Sequence, residues 1–152
     1  MNVLVSACLL GVGCRYDGAG KPMPRLAQLL AAPVHLVPFC PEIFGGLPTP
    51  RVPAERKNGG VWTRDGRDVT AAYQRGAQEA LRLCRLMGCT HALLKERSPS
   101  CGCGAIYDGS FTGTLIPGRG VTAELLQDND IIVWGESALG DLLAAAAEEG
   151  SP

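Results

Sequence analysis

Val3-Leu4-Val5-Ser6-Ala7, followed at once by Cys8-Leu9-Leu10-Gly11, is the stretch from which the fold is read. A short apolar run ending in a glycine-bearing loop is the pattern of a strand buried on both faces. Similar runs recur at residues 34–39, where Pro38 marks an end or an irregularity, at Ala92-Leu93-Leu94, and at Ile131-Ile132-Val133-Trp134. Helical segments separate them. Residues 25–32 follow Pro24, and proline suits a first helical turn. Thr70 opens the clearest helix, in which Tyr73, Ala77, Ala80, Leu81, Cys84 and Met87 share one face. Gly88 then stands where a helix C-terminus favours glycine. Thr122 begins a short helix over 123–127, and residues 138–149 form a closing one. Strand and helix alternate without an internal repeat. This order predicts an α/β fold: a compact, doubly wound, mainly parallel sheet with helices on both faces, as one domain over residues 1–152.

The composition fits a globular domain: 46% of the 152 residues are hydrophobic and 19% charged. A net charge of −1 excludes a generally basic nucleic-acid coat and leaves room only for a local basic patch. With 5% aromatic residues, a stacking platform for single-stranded nucleic acid is not expected. The opening apolar run is too short and too early for a signal or a membrane span, and the first cation is Arg15. A cytoplasmic protein with reduced thiols is the expectation. The 20 glycines and 11 prolines mean that much of the chain is loop, and loops carry function. Residues 41–68 read as one long connection, rich in Pro, Gly and charge. Its part from Arg51 to Asp68 holds Arg51, Arg56, Lys57, Arg64 and Arg67 among Glu55, Asp65 and Asp68. That mixture suits either a grip on an anion such as phosphate or a solvated surface.

Seven cysteines, at 8, 14, 40, 84, 89, 101 and 103, are an odd number and follow no secreted disulfide pattern. In a parallel sheet all strand C-termini share one edge, where ligands bind. Cys8 follows the first strand, Cys40 the second, and Cys101 and Cys103 lie in the loop 97–104 after the third. Topology alone therefore brings distant thiols to a common rim. Converging thiolates point to a soft metal or an iron–sulfur cluster. The alternative is that they are small buried hydrophobes, but their Gly- and Pro-flanked loops argue against core packing. No zinc-ribbon spacing or compact ferredoxin motif is present. Cys84, on the apolar stripe of the long helix, and Cys89, at its end, read as core. Cys14 is either a fourth ligand or a bystander in the loop 11–18. Glu42, two residues after Cys40, and Ser98 and Ser100, just before Cys101, are candidate polar groups. A carboxylate can act as general base and a hydroxyl can orient water, although Glu42 can equally cap a turn and Ser98-Pro99 is ordinary turn chemistry. His35 and His91 lack a second histidine at metal spacing and read as structural. No phosphate-binding glycine loop and no nucleophile elbow occurs.

Five motifs then occur in a familiar order. They are Ser6-Ala7-Cys8-Leu9-Leu10-Gly11; Cys14-Arg15-Tyr16-Asp17-Gly18; Cys40-Pro41-Glu42 with Gly45-Gly46-Leu47; Pro50-Arg51-Val52-Pro53-Ala54-Glu55; and Lys95-Glu96-Arg97-Ser98-Pro99-Ser100-Cys101-Gly102. Together they resemble the thiouracil desulfidase family over most of the chain. The resemblance implies a 4Fe–4S cluster held by Cys8, Cys40 and Cys101, with one iron left without a protein ligand. It implies catalytic roles for Glu42 and Ser98, with Ser100 the alternative two residues on. Cys14 and Cys103 fit less well as ligands, and Cys103 has no place in the pattern. The implied activity is non-redox: thiouracil and water give uracil and hydrosulfide, the thione sulfur being bound by the open iron. The partner is then a small thiolated nucleobase. Thiouridine in tRNA is a second substrate reading, although family members acting on RNA tend to carry an additional domain for which 152 residues leave no room. A fully ligated, non-catalytic metal- or redox-sensing module and thiol catalysis by Cys101 are the remaining alternatives.

Overall fold

The structure is a computed structural model and describes residues 1–150. Strand β1, Asn2–Ser6, lies between β2, His35–Phe39, and β5, Cys89–Leu94, and β8, Ile132–Gly135, completes the sheet in the order β2-β1-β5-β8. Every pairing in it is parallel, with Val3 opposite Leu36 on one side and His91 on the other. The crossovers are made by α1, Leu26–Ala31, then α3, Thr70–Met87, and α4, Val121–Asp128; α5, Leu139–Glu149, closes the fold. Successive strand residues point to opposite faces, so β1 feeds two cores. Val3, Val5 and Leu93 pack with Leu29 of α1 and with Leu139 and Leu142 of α5. Leu4, Ala92 and Leu94 pack with Ala80, Leu81 and Cys84 of α3 and with Ala123 and Leu126 of α4. The expected two-faced α/β architecture is therefore present. Each fully buried Leu in these layers is worth roughly 1.5–3 kcal/mol of apolar transfer.

Two stretches differ from the sequence reading. The segment 41–68 is structured: α2 covers Pro41–Phe44, and β3, Ala54–Lys57, pairs antiparallel with β4, Gly60–Thr63. The hairpin turns on Asn58 and Gly59, both at positive φ (51° and 79°), the geometry that Asn-Gly favours. That dipeptide was the available signal; the charged run Ala54-Glu55-Arg56-Lys57 hid the strand beside it. The second difference is a hairpin of β6, Ala105–Tyr107, and β7, Leu115–Pro117, whose three-residue strands show no periodicity. The third sheet strand also begins at Cys89, ahead of its apolar run.

One close approach sets the position of α2. A Cβ on Gly76 of α3 would lie 1.9 Å from the Pro41 carbonyl oxygen. Only glycine lets α3 press against the start of the short helix that follows Cys40 and carries Glu42. No helix among the described residues is long and apolar enough to cross a membrane.

Candidate active site

The chain runs from β1 out to β2 and then returns past β1 to β5. The crevice at the C-terminal ends of β1 and β5 is thus a topological switch point, the place where open α/β sheets bind ligands. Cys8 follows β1, Cys40 follows β2, and Ser98 and Cys101 lie in the loop after β5. These four, with Glu42, line one cavity of about 420 Å³. The two ambiguous thiols separate. Cys14 also lines the cavity, its side chain hydrogen-bonded with that of Cys40, while Cys40 Sγ lies 3.8 Å from the Cys14 carbonyl. Cys103 is not part of the wall and faces Glu96 and Glu136. Cys84 and Cys89 sit in the core. Ser100 is also turned away: its buried hydroxyl bonds Thr122 Oγ1 at 2.8 Å, which leaves Ser98 as the serine of the cavity.

All seven cysteines are free. Burial, then the neighbouring Cys40, pushes the Cys8 thiol up to about 11, against the opposing pull of Lys95 and Arg15. Burial, then Cys40 and Cys8, pushes Cys14 up to about 12. Cys101 is raised mainly by burial, with Cys8, Glu42 and Cys40 adding to it. Cys8, Cys14 and Cys101 are therefore held as thiols at neutral pH unless a metal displaces their protons. Among the described residues, no three Cys, His, Asp or Glu side chains gather tightly enough to hold a single metal ion. Soft donors spread around a roomy cavity fit a polynuclear iron–sulfur cluster, in which each thiolate takes a different iron.

Glu42 does not cap a turn. Its Oε2 is ion-paired with Arg51 Nη2, and its Oε1 accepts a hydrogen bond from the Tyr73 hydroxyl at 2.9 Å. The pair is secluded, with side-chain exposures of 6% for Arg51 and 15% for Glu42. Burial works against the Arg51 charge, but the Glu42 carboxylate outweighs it and holds the guanidinium above its usual range. Burial, and then Glu42, pushes the Tyr73 phenol far up, so it remains a donor. Arg51 also donates to the carbonyls of Cys14 (2.9 Å) and Pro48 (3.2 Å) and to Thr49 Oγ1 (3.1 Å), tying the Cys14 loop to Glu42.

Ser98 serves the turn and the cavity together. Its Oγ accepts the backbone N–H groups of Ser100 and Cys101, both at 3.1 Å, and so sets the loop from which Cys101 projects. With both bonds accepted, the hydroxyl proton is left to donate.

The family model described as 2-thiouracil desulfurase matches residues 3–138. The chain belongs to that family. It is 40% identical over 151 residues to the uncharacterized protein YbbK of Bacillus subtilis (strain 168), covering 93% of this chain and 99% of that protein. It is also similar to the solved structure of a 4Fe–4S-dependent thiouracil desulfidase, TudS, at 49% identity and a TM-score of 0.90, covering 97% of this chain and 98% of the other.

Sequence reasoning missed the two residues that hold Glu42. Tyr73 lies on the apolar stripe of α3, yet a buried tyrosine needs a partner for its hydroxyl, and that need is the available signal. Arg51 was grouped with a possible anion grip. Of the five cations in its stretch only Arg51 and Arg64 reach the cavity; Arg56 bonds Glu124 and the Arg119 carbonyl, and Arg67 faces Asp65. Arg51 holds a protein carboxylate.

Proposed function

We propose that the chain is a 4Fe–4S-dependent thiouracil desulfidase that converts thiouracil and water into uracil and hydrogen sulfide. The observation that carries this reading is the convergence of Cys8, Cys40 and Cys101 with Glu42 and Ser98 on one cavity at the switch point of the sheet. Cys8, Cys40 and Cys101 would hold the cluster and leave one iron without a protein ligand. When bound, the cluster supplies a soft Lewis acid that polarises the carbon–sulfur bond of the thione.

The remaining work falls to the chain. Glu42 takes a proton from the attacking water, because each of its carboxylate oxygens keeps a second lone pair beside its bond to Arg51 or to Tyr73. Arg51 and Tyr73 fix the carboxylate so that its direction does not change during the reaction. Ser98 donates its free hydroxyl proton to the water or to the pyrimidine edge. The water oxygen becomes the carbonyl oxygen of uracil; one of its protons goes to Glu42 and the other to the sulfur, which leaves as hydrosulfide with the pair of electrons from its bond to carbon. Nothing is oxidised or reduced.

The test is anaerobic reconstitution with iron and sulfide, followed by the loss of thione absorbance of 4-thiouracil and the release of hydrosulfide. Wild type should bind about four irons and turn over. Cys8→Ala, Cys40→Ala and Cys101→Ala should lose the cluster. Glu42→Gln should keep its iron and lose roughly 10²–10⁴ in rate, the usual contribution of a general base. A wild type that holds a full cluster and leaves thiouracil untouched would overturn the substrate, and one that binds zinc tightly and no iron would overturn the enzyme reading.

A further inference from the structure

The tip of the β6–β7 hairpin carries a residue with no part in the chemistry above. Phe111 has φ +58°, the left-handed region that bulky side chains rarely adopt. Such a conformation persists only where its surroundings enforce it, and such enforced residues cluster at ligand clamps. Here the enforcement is visible. Glu55 Oε1, from β3, accepts the N–H of Gly109 at 3.0 Å and of Phe111 at 3.1 Å. Gly109 is docked so closely that a Cβ there would lie 2.6 Å from Lys57 Cβ and 2.9 Å from the Arg56 carbonyl oxygen. A carboxylate and a glycine thus fix one aromatic residue. Its ring is half-buried and forms part of the wall of the cavity that holds Cys8, Glu42 and Ser98. The Arg64 guanidinium, also on that wall, lies 5.8 Å from the ring centroid.

A thiolated pyrimidine is planar and presents its polar atoms at the edge. Glu42 and Ser98 can serve the edge, but the ring faces need a flat apolar partner. We propose that Phe111 is a substrate-positioning residue whose ring stacks on the pyrimidine, and that Glu55 holds it in place for this purpose. The proposal rests on the desulfidase reading and adds to it the element that selects a flat conjugated thione over an aliphatic thioamide.

The experiment uses cluster-loaded protein. It measures kcat and KM for 4-thiouracil and the Kd for uracil by calorimetry, in wild type and in Phe111→Ala, Phe111→Leu, Phe111→Trp and Glu55→Ala. Uracil lacks the sulfur, so its binding reports ring recognition alone. Loss of one stacking partner weakens base binding by about tenfold to a hundredfold. That loss is expected in KM and in uracil Kd for Phe111→Ala and Phe111→Leu, with iron content unchanged and kcat within a few-fold. Phe111→Trp should retain affinity, and Glu55→Ala should fall between. Unchanged KM in Phe111→Ala with an active wild type overturns the stacking role alone. Equal performance of the Leu and Trp variants overturns it as well, because any apolar cover would then suffice. A fully loaded wild type that neither binds nor converts the thiopyrimidine overturns the desulfidase reading, and the stacking role with it.

Discussion

Replacing Arg51 by methionine should destabilise the chain strongly. The side chains of Arg51 and Glu42 are 6% and 15% exposed, so water replaces the lost partner only in part, from the cavity side. Removing one member of a buried ion pair leaves an uncompensated charge and costs about 3–5 kcal/mol. For a domain of this size each kcal/mol lowers Tm by roughly 2–4 °C, so Arg51→Met should melt about 6–20 °C below wild type. Part of that loss comes from bonds that have no charge on the acceptor side, to Cys14, Pro48 and Thr49. The double variant Glu42→Gln/Arg51→Met separates the two contributions, because it loses the same bonds and leaves no buried charge. It should cost less than the sum of the single variants by roughly 2–3 kcal/mol, a coupling typical of residues in direct contact. The assay is urea unfolding of metal-free, reduced protein, in which no cofactor complicates a two-state treatment. If the single effects add to the double within about 0.5 kcal/mol, the pair is not coupled and the account of Glu42 held by Arg51 is wrong.

Three further outcomes can be checked. Ser98→Ala loses the acceptor for two backbone N–H groups beside Cys101, so iron content after reconstitution should fall, whereas Ser98→Thr, which keeps the oxygen, should load like wild type. Cys14→Ser should bind close to the wild-type amount of iron, because the proposed ligands are three other thiols; iron quantitation showing loss of the cluster would make Cys14 a fourth ligand. His91 is kept neutral by burial, its pKa held below 6.5, while its Nδ1 accepts the indole N–H of Trp134 at 3.1 Å. The unfolded chain then binds this proton more tightly than the folded one. The stability owed to the neutral ring is complete above pH 6.5 and declines as pH falls through the depressed folded value, so Tm should drop between pH 7.5 and 5.5, and His91→Asn should flatten that slope.

The parts of this molecule that could be read from sequence share one property: their positions follow from backbone topology. Val3-Leu4-Val5 and Ala92-Leu93-Leu94 are apolar on both faces, which only a covered parallel sheet requires. Once the sheet is parallel, Cys8, Cys40 and Cys101 must meet at one edge, since each follows a strand directly or by one short loop. Glu42 and Ser98 travel with them. The hairpins escaped for the opposite reason. The strands of β6–β7 are too short for a period to show, and β3 is charged along a half-buried strand, so no apolar alternation marks it. Arg51, Tyr73 and Phe111 escaped for a different reason again. Tyr73 lies 31 residues from Glu42 in the chain, and its role exists only because Gly76 lets α3 close on α2. Phe111 reaches the cavity because Glu55, 56 residues earlier, binds its N–H. Positions at the sheet edge are therefore legible where topology fixes them. The groups that orient the residues there depend on side-chain reach between elements, and that reach is settled by packing, not by pattern. The same division explains why Ser98 and Ser100 could not be separated in sequence: both lie on the right loop, and only the turn sends one hydroxyl to the cavity and the other to Thr122.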